Sequence, residues 1–115
     1  MLKKVLGKFI GPEGVRAAMV VAADGTLIEC VPAGKLDGDR VARSLLPAME
    51  AIHALATEYG SGIWSMIFVQ AGDSTLTVLP INDRTFLVLL SGEGANIGRI
   101  RHQMKKHRDL IDSIL

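Results

Sequence analysis

The chain has 115 residues, of which 49% are hydrophobic and 22% are charged, and its net charge at pH 7 is +1. This length predicts a single domain, 1–115. The near-neutral charge supplies no global field for nucleic acid or anionic lipid. Mean hydropathy is high, at +0.31, yet no apolar run approaches the ~18 residues of a membrane span, so the apolar excess indicates a protein interface. We therefore expect no nucleic-acid partner and no membrane insertion.

Residues 2–10 predict a short amphipathic helix, with apolar residues at helical spacing and lysines on the other side. We expect this helix to dock on a sheet, and a membrane-surface anchor is the alternative. A turn at 11–14 ends it. The segment lacks the unbroken apolar core and the cleavage site of a signal peptide, which favours a cytoplasmic protein.

Residues 15–31 predict a β-hairpin. The Asp24-Gly25 pair between two β-rich runs is typical of a two-residue type I′ turn. Cys30, the single cysteine, lies in the second strand without a histidine nearby in the sequence, which favours a small buried thiol over a nucleophile. A loop is predicted over 32–38.

A long helix is predicted next, capped by Asp39 or Asp37 and ending at about Tyr59 before a glycine-rich stretch. Its apolar arc covers about half of the circumference, which is wider than one sheet face requires. Part of this arc should therefore meet another chain. Pro47 falls on the polar side, where water can satisfy the lost hydrogen bond, so we expect a kink and not a break.

Residues 62–91 predict an antiparallel meander of three strands joined by short loops. Two runs, 64–69 and 86–90, are apolar at nearly every position, which indicates a sheet covered on both faces. The first strand, predicted over 63–71, can lie at an edge of the sheet. A long apolar edge strand promotes aggregation unless something pairs with it, so we expect pairing with a second copy of the chain.

A glycine-rich link, 92–98, leads into a last helix predicted over about 96–114. A phosphate cradle is one interpretation of the link, but no Walker lysine-hydroxyl pair follows, so helix-cap chemistry is favoured. We interpret the basic cluster of the helix as a solvated face, with a nucleic-acid or lipid patch as the alternative. This cluster consists of Arg99, Arg101, His102, Lys105, Lys106 and Arg108. No catalytic or metal-ligand pattern is evident, which predicts no cofactor, no metal and no enzyme activity.

Five segments carry a family resemblance in their order and spacing: 14–21, 24–28, 76–81, 86–90 and 95–101. Together with the element order, they resemble the roadblock family, which comprises the dynein light chain roadblock type and its bacterial MglB-like relatives. The resemblance implies an α+β fold with the profilin/longin-like order αββαβββα. In this fold a five-stranded antiparallel sheet, formed by a hairpin plus a meander, lies between one long helix and two helices.

The resemblance also implies a homodimer that regulates small Ras-like GTPases without catalytic residues of its own. Because the sequence stops just after the last helix, we expect it to lack the C-terminal extension of some bacterial relatives. Two alternatives stay open. One is a dynein-light-chain-like dimeric scaffold with no effect on nucleotide turnover, and the other is a small-ligand sensor of PAS type, which would need a polar-lined cavity.

We predict two functional surfaces. The dimer interface combines a flank of the long helix with the first meander strand and comprises Ala42, Leu46, Met49, His53, Trp64, Met66, Ile67 and Phe68. The surface for the Ras-like GTPase lies on the polar face of the long helix and comprises Arg40, Arg43, Ser44, Pro47 and Glu50. The predicted function is non-catalytic modulation of the hydrolysis or the nucleotide state of the GTPase.

Overall fold

A five-stranded antiparallel sheet organises the protein, whose computed structural model describes residues 1–32 and 37–115. Its strands are β1 (Val15–Ala22), β2 (Leu27–Val31), β3 (Ile67–Ala71), β4 (Ser74–Asn82) and β5 (Thr85–Ser91). They are arranged in the order β2-β1-β5-β4-β3. The helices are α1 (Leu2–Gly7), α2 (Gly38–Tyr59) and α3 (Ile97–Ile114), with a 3-10 turn at Pro12–Gly14. The predicted α+β architecture is confirmed, although most of the loop predicted over 32–38 lies outside the described residues.

Helices cover both faces of the sheet, as the continuous apolar strands predict. Helix α2 packs on one face, over a cluster that we call the α2-side core, and α1 and α3 pack on the other, over the α3-side core. Alternate residues of a strand point to opposite faces. Consequently Met19 belongs to the α2-side core and Val20 to the α3-side core. In β5, residues 87–89 are completely buried, which confirms a sheet covered on both faces.

Side-chain caps start the two long helices. The Asp37 carboxylate accepts a hydrogen bond from the backbone N–H of Arg40 at 3.1 Å, so Asp37, and not Asp39, caps α2. Asn96 caps α3 in the same way, by accepting from the N–H of Arg99 at 3.1 Å. The glycine-rich link therefore supplies cap chemistry. Helix α2 continues through Pro47, as predicted.

The short first helix docks on the sheet, as predicted. Val5 and Leu6 of α1, together with Phe9 just after it, are buried in the α3-side core. Among the described helices, none has both the length and the apolar character that crossing a bilayer demands.

The turn between β1 and β2 differs from the type I′ prediction, which was wrong. Type I′ requires a positive φ at both central residues, but only Gly25 of the Asp24-Gly25 pair has one, at 89°. The N–H of Gly25 donates to the carbonyl of Ala22 at 2.9 Å, as in a type I turn followed by a left-handed glycine. Asp24 accepts from the N–H of Thr26 at 3.0 Å. Hydrogen bonds from Thr26 also hold the pKa of Asp24 below its ordinary value.

Strand β3 lies at the edge of the sheet, as predicted, but it is shorter than the predicted range 63–71 because it begins only at Ile67. The ring of Trp64 stacks on Phe86 with centroids 5.6 Å apart. Because of this contact, Trp64 packs on the sheet and the residues just before Ile67 do not continue the edge strand. Ile67 pairs with Val78, so Pro80 lies beyond the β3 pairing, where its missing N–H costs no ladder bond.

Candidate functional site

The polar side of α2 presents the predicted partner-binding residues together. These residues, which we call the outer face, are Arg40, Arg43, Ser44, Pro47 and Glu50, and all of them are exposed. The two guanidinium groups lie about one turn apart, because residues three apart share a helix side. Neither forms an ion pair with a carboxylate of the described residues. This arrangement leaves two charged, planar hydrogen-bond donors available to a partner.

One side of α2 borders the edge strand. We call it the β3 flank, and helical spacing places on it Val41, Ala48, Ile52, Leu55 and Tyr59. Val41 and Ala48 line, with Val69 of β3, a mostly apolar groove of about 620 Å³, to which Arg40 and Ser44 of the outer face also contribute. Farther along the helix the flank is bare, since Leu55 is 61% exposed and Tyr59 is 80% exposed. The β3 flank and β3 therefore present apolar side chains to solvent.

The opposite side of α2, which we call the Trp64 flank, carries the half-buried Leu46 and the exposed His53 and is partly covered by Trp64 and Phe86 of the same chain. Trp64 and Phe86 line one groove with both of these residues. The Nδ1 atom of His53 lies 2.7 Å from the carbonyl oxygen of Gly62. A carbonyl can only accept, so Nδ1 is the donor. This bond ties the chain leaving α2 back onto the helix.

The predicted helix part of the dimer interface needs correction. Ala42 is 0% exposed and packs in the α2-side core, so it has no surface for a second chain and its assignment was wrong. Met49, at 7% exposed, belongs to the same core. Leu46 and His53 lie on the Trp64 flank, beside the chain's own aromatic pair. The exposed apolar flank of α2 is thus the one that the sequence prediction did not select.

The predicted strand part of the interface divides between buried and exposed residues. Trp64 stacks on Phe86, Met66 packs against the α3-side core, and Ile67 packs against the α2-side core. Phe68 is 43% exposed, as an interface residue should be. Val69, at 49% exposed, lies in the strand predicted to pair with a second copy but was not among the interface side chains named. Strand alternation would have found it, because it faces the same side as Ile67.

Two other sequence features have local structural roles. Arg99, the first member of the basic cluster, forms an ion pair with Glu13 at 3.1 Å. Cys30 is half-buried, and this burial raises the pKa of its thiol, with further contributions from Glu29 and Asp39. A raised pKa keeps the thiol protonated and unreactive.

Comparisons with known proteins place this fold in a family. Residues 1–91 match the model of the Roadblock/LC7 domain. The uncharacterized protein MJ0310 of Methanocaldococcus jannaschii is 29% identical over 114 residues, which cover 99% of each chain.

Solved structures share the fold. Myxococcus xanthus MglB superposes with a TM-score of 0.87 at 19% identity, covering 98% of this chain and 93% of that one. An MglB in a tetrameric arrangement gives 0.88 at 22% identity, covering 98% and 86%. Acanthamoeba castellanii profilin IA gives 0.69 at 15% identity over the whole of both chains. With most of its length matched by the family model, the chain belongs to the Roadblock/LC7 domain family.

Proposed function

We propose that this protein is a non-catalytic homodimer that binds a small Ras-like GTPase on the outer face of α2 and modulates its GTP hydrolysis or nucleotide state. Membership of the Roadblock/LC7 family supports the general role, because the roadblock resemblance implies regulation of such GTPases. The observation that carries the choice of surface is the division of α2 into an exposed polar face and an exposed apolar flank.

The apolar flank supports the homodimer. Strand β3 is an edge strand whose outward backbone groups have no neighbouring strand among the described residues. Antiparallel pairing with β3 of a second copy would complete these bonds around a twofold axis. The same axis would bring the two β3 flanks together. Burial of Leu55 and Tyr59 would then contribute about 25 cal/mol per Å² of apolar area removed from water. An MglB of the same fold assembles in a tetrameric arrangement, which agrees with self-association.

The polar face supports a shared platform. In such a dimer the two outer faces lie side by side, so one globular partner meets both copies and forms a 2:1 complex. Each copy contributes two guanidinium groups, one hydroxyl and one carboxylate to the platform, and the proposal gives none of them a step in the chemistry. The platform would therefore act by ordering the switch loops and the catalytic residues that the GTPase already owns.

Charge reversal on the outer face tests this proposal. The double variant Arg40→Glu with Arg43→Glu should stay dimeric and bind the GTP-loaded GTPase more weakly by at least about tenfold, or about 1.4 kcal/mol. The partner is a Ras-like GTPase recovered by pull-down from the source cell, and binding is followed by titration with the GTPase loaded with a non-hydrolysable GTP analogue.

The matched control makes the same charge change on α3, with Arg101→Glu and Lys105→Glu, and should bind as the parent does. Loss of binding in this control with normal binding of the α2 variant would move the docking face to the other side of the sheet. Hydrolysis and exchange rates then separate regulator from scaffold. A stable complex that leaves both rates unchanged would favour the dimeric scaffold.

A further inference from the structure

A second concave site lies on the opposite side of the sheet from α2. It is a cavity of about 450 Å³ between the residues that follow α1, the 3-10 turn and α3. Its floor is apolar and consists of Phe9, Val15, Leu89 and Ile100, none of which is more than 5% exposed. This volume falls within the range of about 300–1,000 Å³ that is usual for small-molecule sites. The GTPase proposal does not use this cavity.

The charged groups at the rim of the cavity sum to one positive charge. Lys8 and Arg99 line it against one carboxylate, that of Glu13, and the imidazole rings of His102 and His107 lie beside them. Glu13 is already neutralised by Arg99, whose Nη1 atom lies 3.1 Å from its Oε1 atom. The ammonium group of Lys8 is therefore not balanced by a carboxylate of the lining. An anionic group at the rim would be favoured, and an ammonium group would be repelled.

The backbone and one ring hold this rim in place. Glu13 has φ 57° and ψ 22°, a left-handed conformation that is uncommon outside glycine. It bridges the two walls of the cavity through its ion pair with Arg99. His107 packs edge-on against Phe9 with centroids 5.3 Å apart, and its Nδ1 atom lies 2.9 Å from the carbonyl oxygen of Gln103. Since that carbonyl can only accept, Nδ1 is the donor, and the bond fixes the orientation of the ring at the rim.

We propose that this cavity binds a small organic anion with an apolar body, such as a medium-chain carboxylate. The apolar floor would receive the hydrocarbon part, and the carboxylate would lie at the rim near Lys8. The cavity also provides the polar lining that a small-ligand sensor requires. It lies beside α3, on the side of the sheet away from the groove between α2 and β3.

Three probes of equal chain length test the chemistry: octanoate, octanol and octylamine. Each is titrated into the isotope-labelled full chain while the amide signals of Phe9, Ile100 and His107 are followed by NMR. Octanoate should shift these signals saturably and bind about tenfold more tightly than octanol, because only octanoate meets the positive rim. Octylamine should bind most weakly. Octanol binding as tightly as octanoate, or no saturable shift with octanoate, would overturn the proposal.

A pair of charge variants locates the site. Lys8→Gln with Arg99→Gln should weaken octanoate binding about tenfold and leave octanol binding unchanged, since the rim charge is lost and Glu13 becomes unpaired. The control, Lys4→Gln with Arg101→Gln, removes the same charge close by on both walls but outside the lining. It should stay within about twofold of the parent, because solvent screens charges at that distance. Equal losses in both variants would show a non-specific charge effect and overturn the site.

Discussion

The two flanks of α2 differ in what lies beside them. On the Trp64 flank, the half-buried Leu46 lines one groove with Trp64 of the segment that leaves the helix. On the β3 flank, Leu55 and Tyr59 are 61% and 80% exposed. An apolar arc wider than the sheet can thus be covered by the same chain on one side and left bare on the other. The bare side offers the larger exposed apolar surface to a second copy.

The covered flank is held by specific local geometry. The chain reverses at Gly62, whose φ is 82°. A Cβ there would lie 2.7 Å from Oγ1 of Thr57 and 2.9 Å from Cε1 of His53, so only glycine allows this close approach. The reversal brings Trp64 onto Phe86.

The largest expected effect comes from removing the side chain of Trp64, which partly covers the Trp64 flank. Trp64→Ala should lower the free energy of unfolding by about 3 kcal/mol, because the aromatic stack and the apolar contact over the Trp64 flank are lost. Urea unfolding at a fixed protein concentration measures this change. The control is Ile63→Ala, at a neighbouring residue that is 85% exposed, which should change stability by no more than about 0.5 kcal/mol. Equal effects of the two variants would mean that the flank is open in solution.

A smaller effect is expected on the bare flank, and on assembly instead of folding. Leu55→Gln with Tyr59→Gln should weaken the dimer by about 2 kcal/mol, or roughly thirtyfold in Kd, while each folded chain keeps its structure. Sedimentation equilibrium measures the dimer affinity, and circular dichroism checks the fold. The control, Ala51→Gln with Ala54→Gln, adds the same polar groups elsewhere on the exposed surface of α2 and should not change the affinity. A parent protein that is monomeric at micromolar concentration would refute the dimer itself.

The smallest effect concerns the tie between α2 and the segment that follows it. His53→Ala removes the donor to the carbonyl of Gly62, a buried residue, and should cost about 1 kcal/mol of folding stability. The exposed His102 of α3 provides the control, and His102→Ala should be nearly neutral. If both substitutions are neutral, the bond to Gly62 contributes nothing to the covered flank.

Sequence periodicity predicted the helices and strands but not which flank of α2 is covered and which is exposed. Helical and strand spacing depend on local geometry, and the caps and hairpins are local as well, so the element order could be predicted. Which flank of α2 stays exposed depends on the path of residues 60–66. The contact of Trp64 with Phe86, which is distant in sequence, determines that path. The same contact shortens β3. The cavity beside α3 has a similar origin, since its lining joins segments near opposite ends of the chain.

Hydrogen exchange at the two sheet edges tests the account most directly. Strand β3 forms one edge and β2 the other, so each chain contains its own reference. Amide exchange is measured well below and well above the dimer dissociation constant. If β3 is the dimer surface, its outward-pointing amides should gain protection as concentration rises, while those of β2 should not change. Equal exchange of β3 at both concentrations, or protection appearing at β2 instead, would contradict the account.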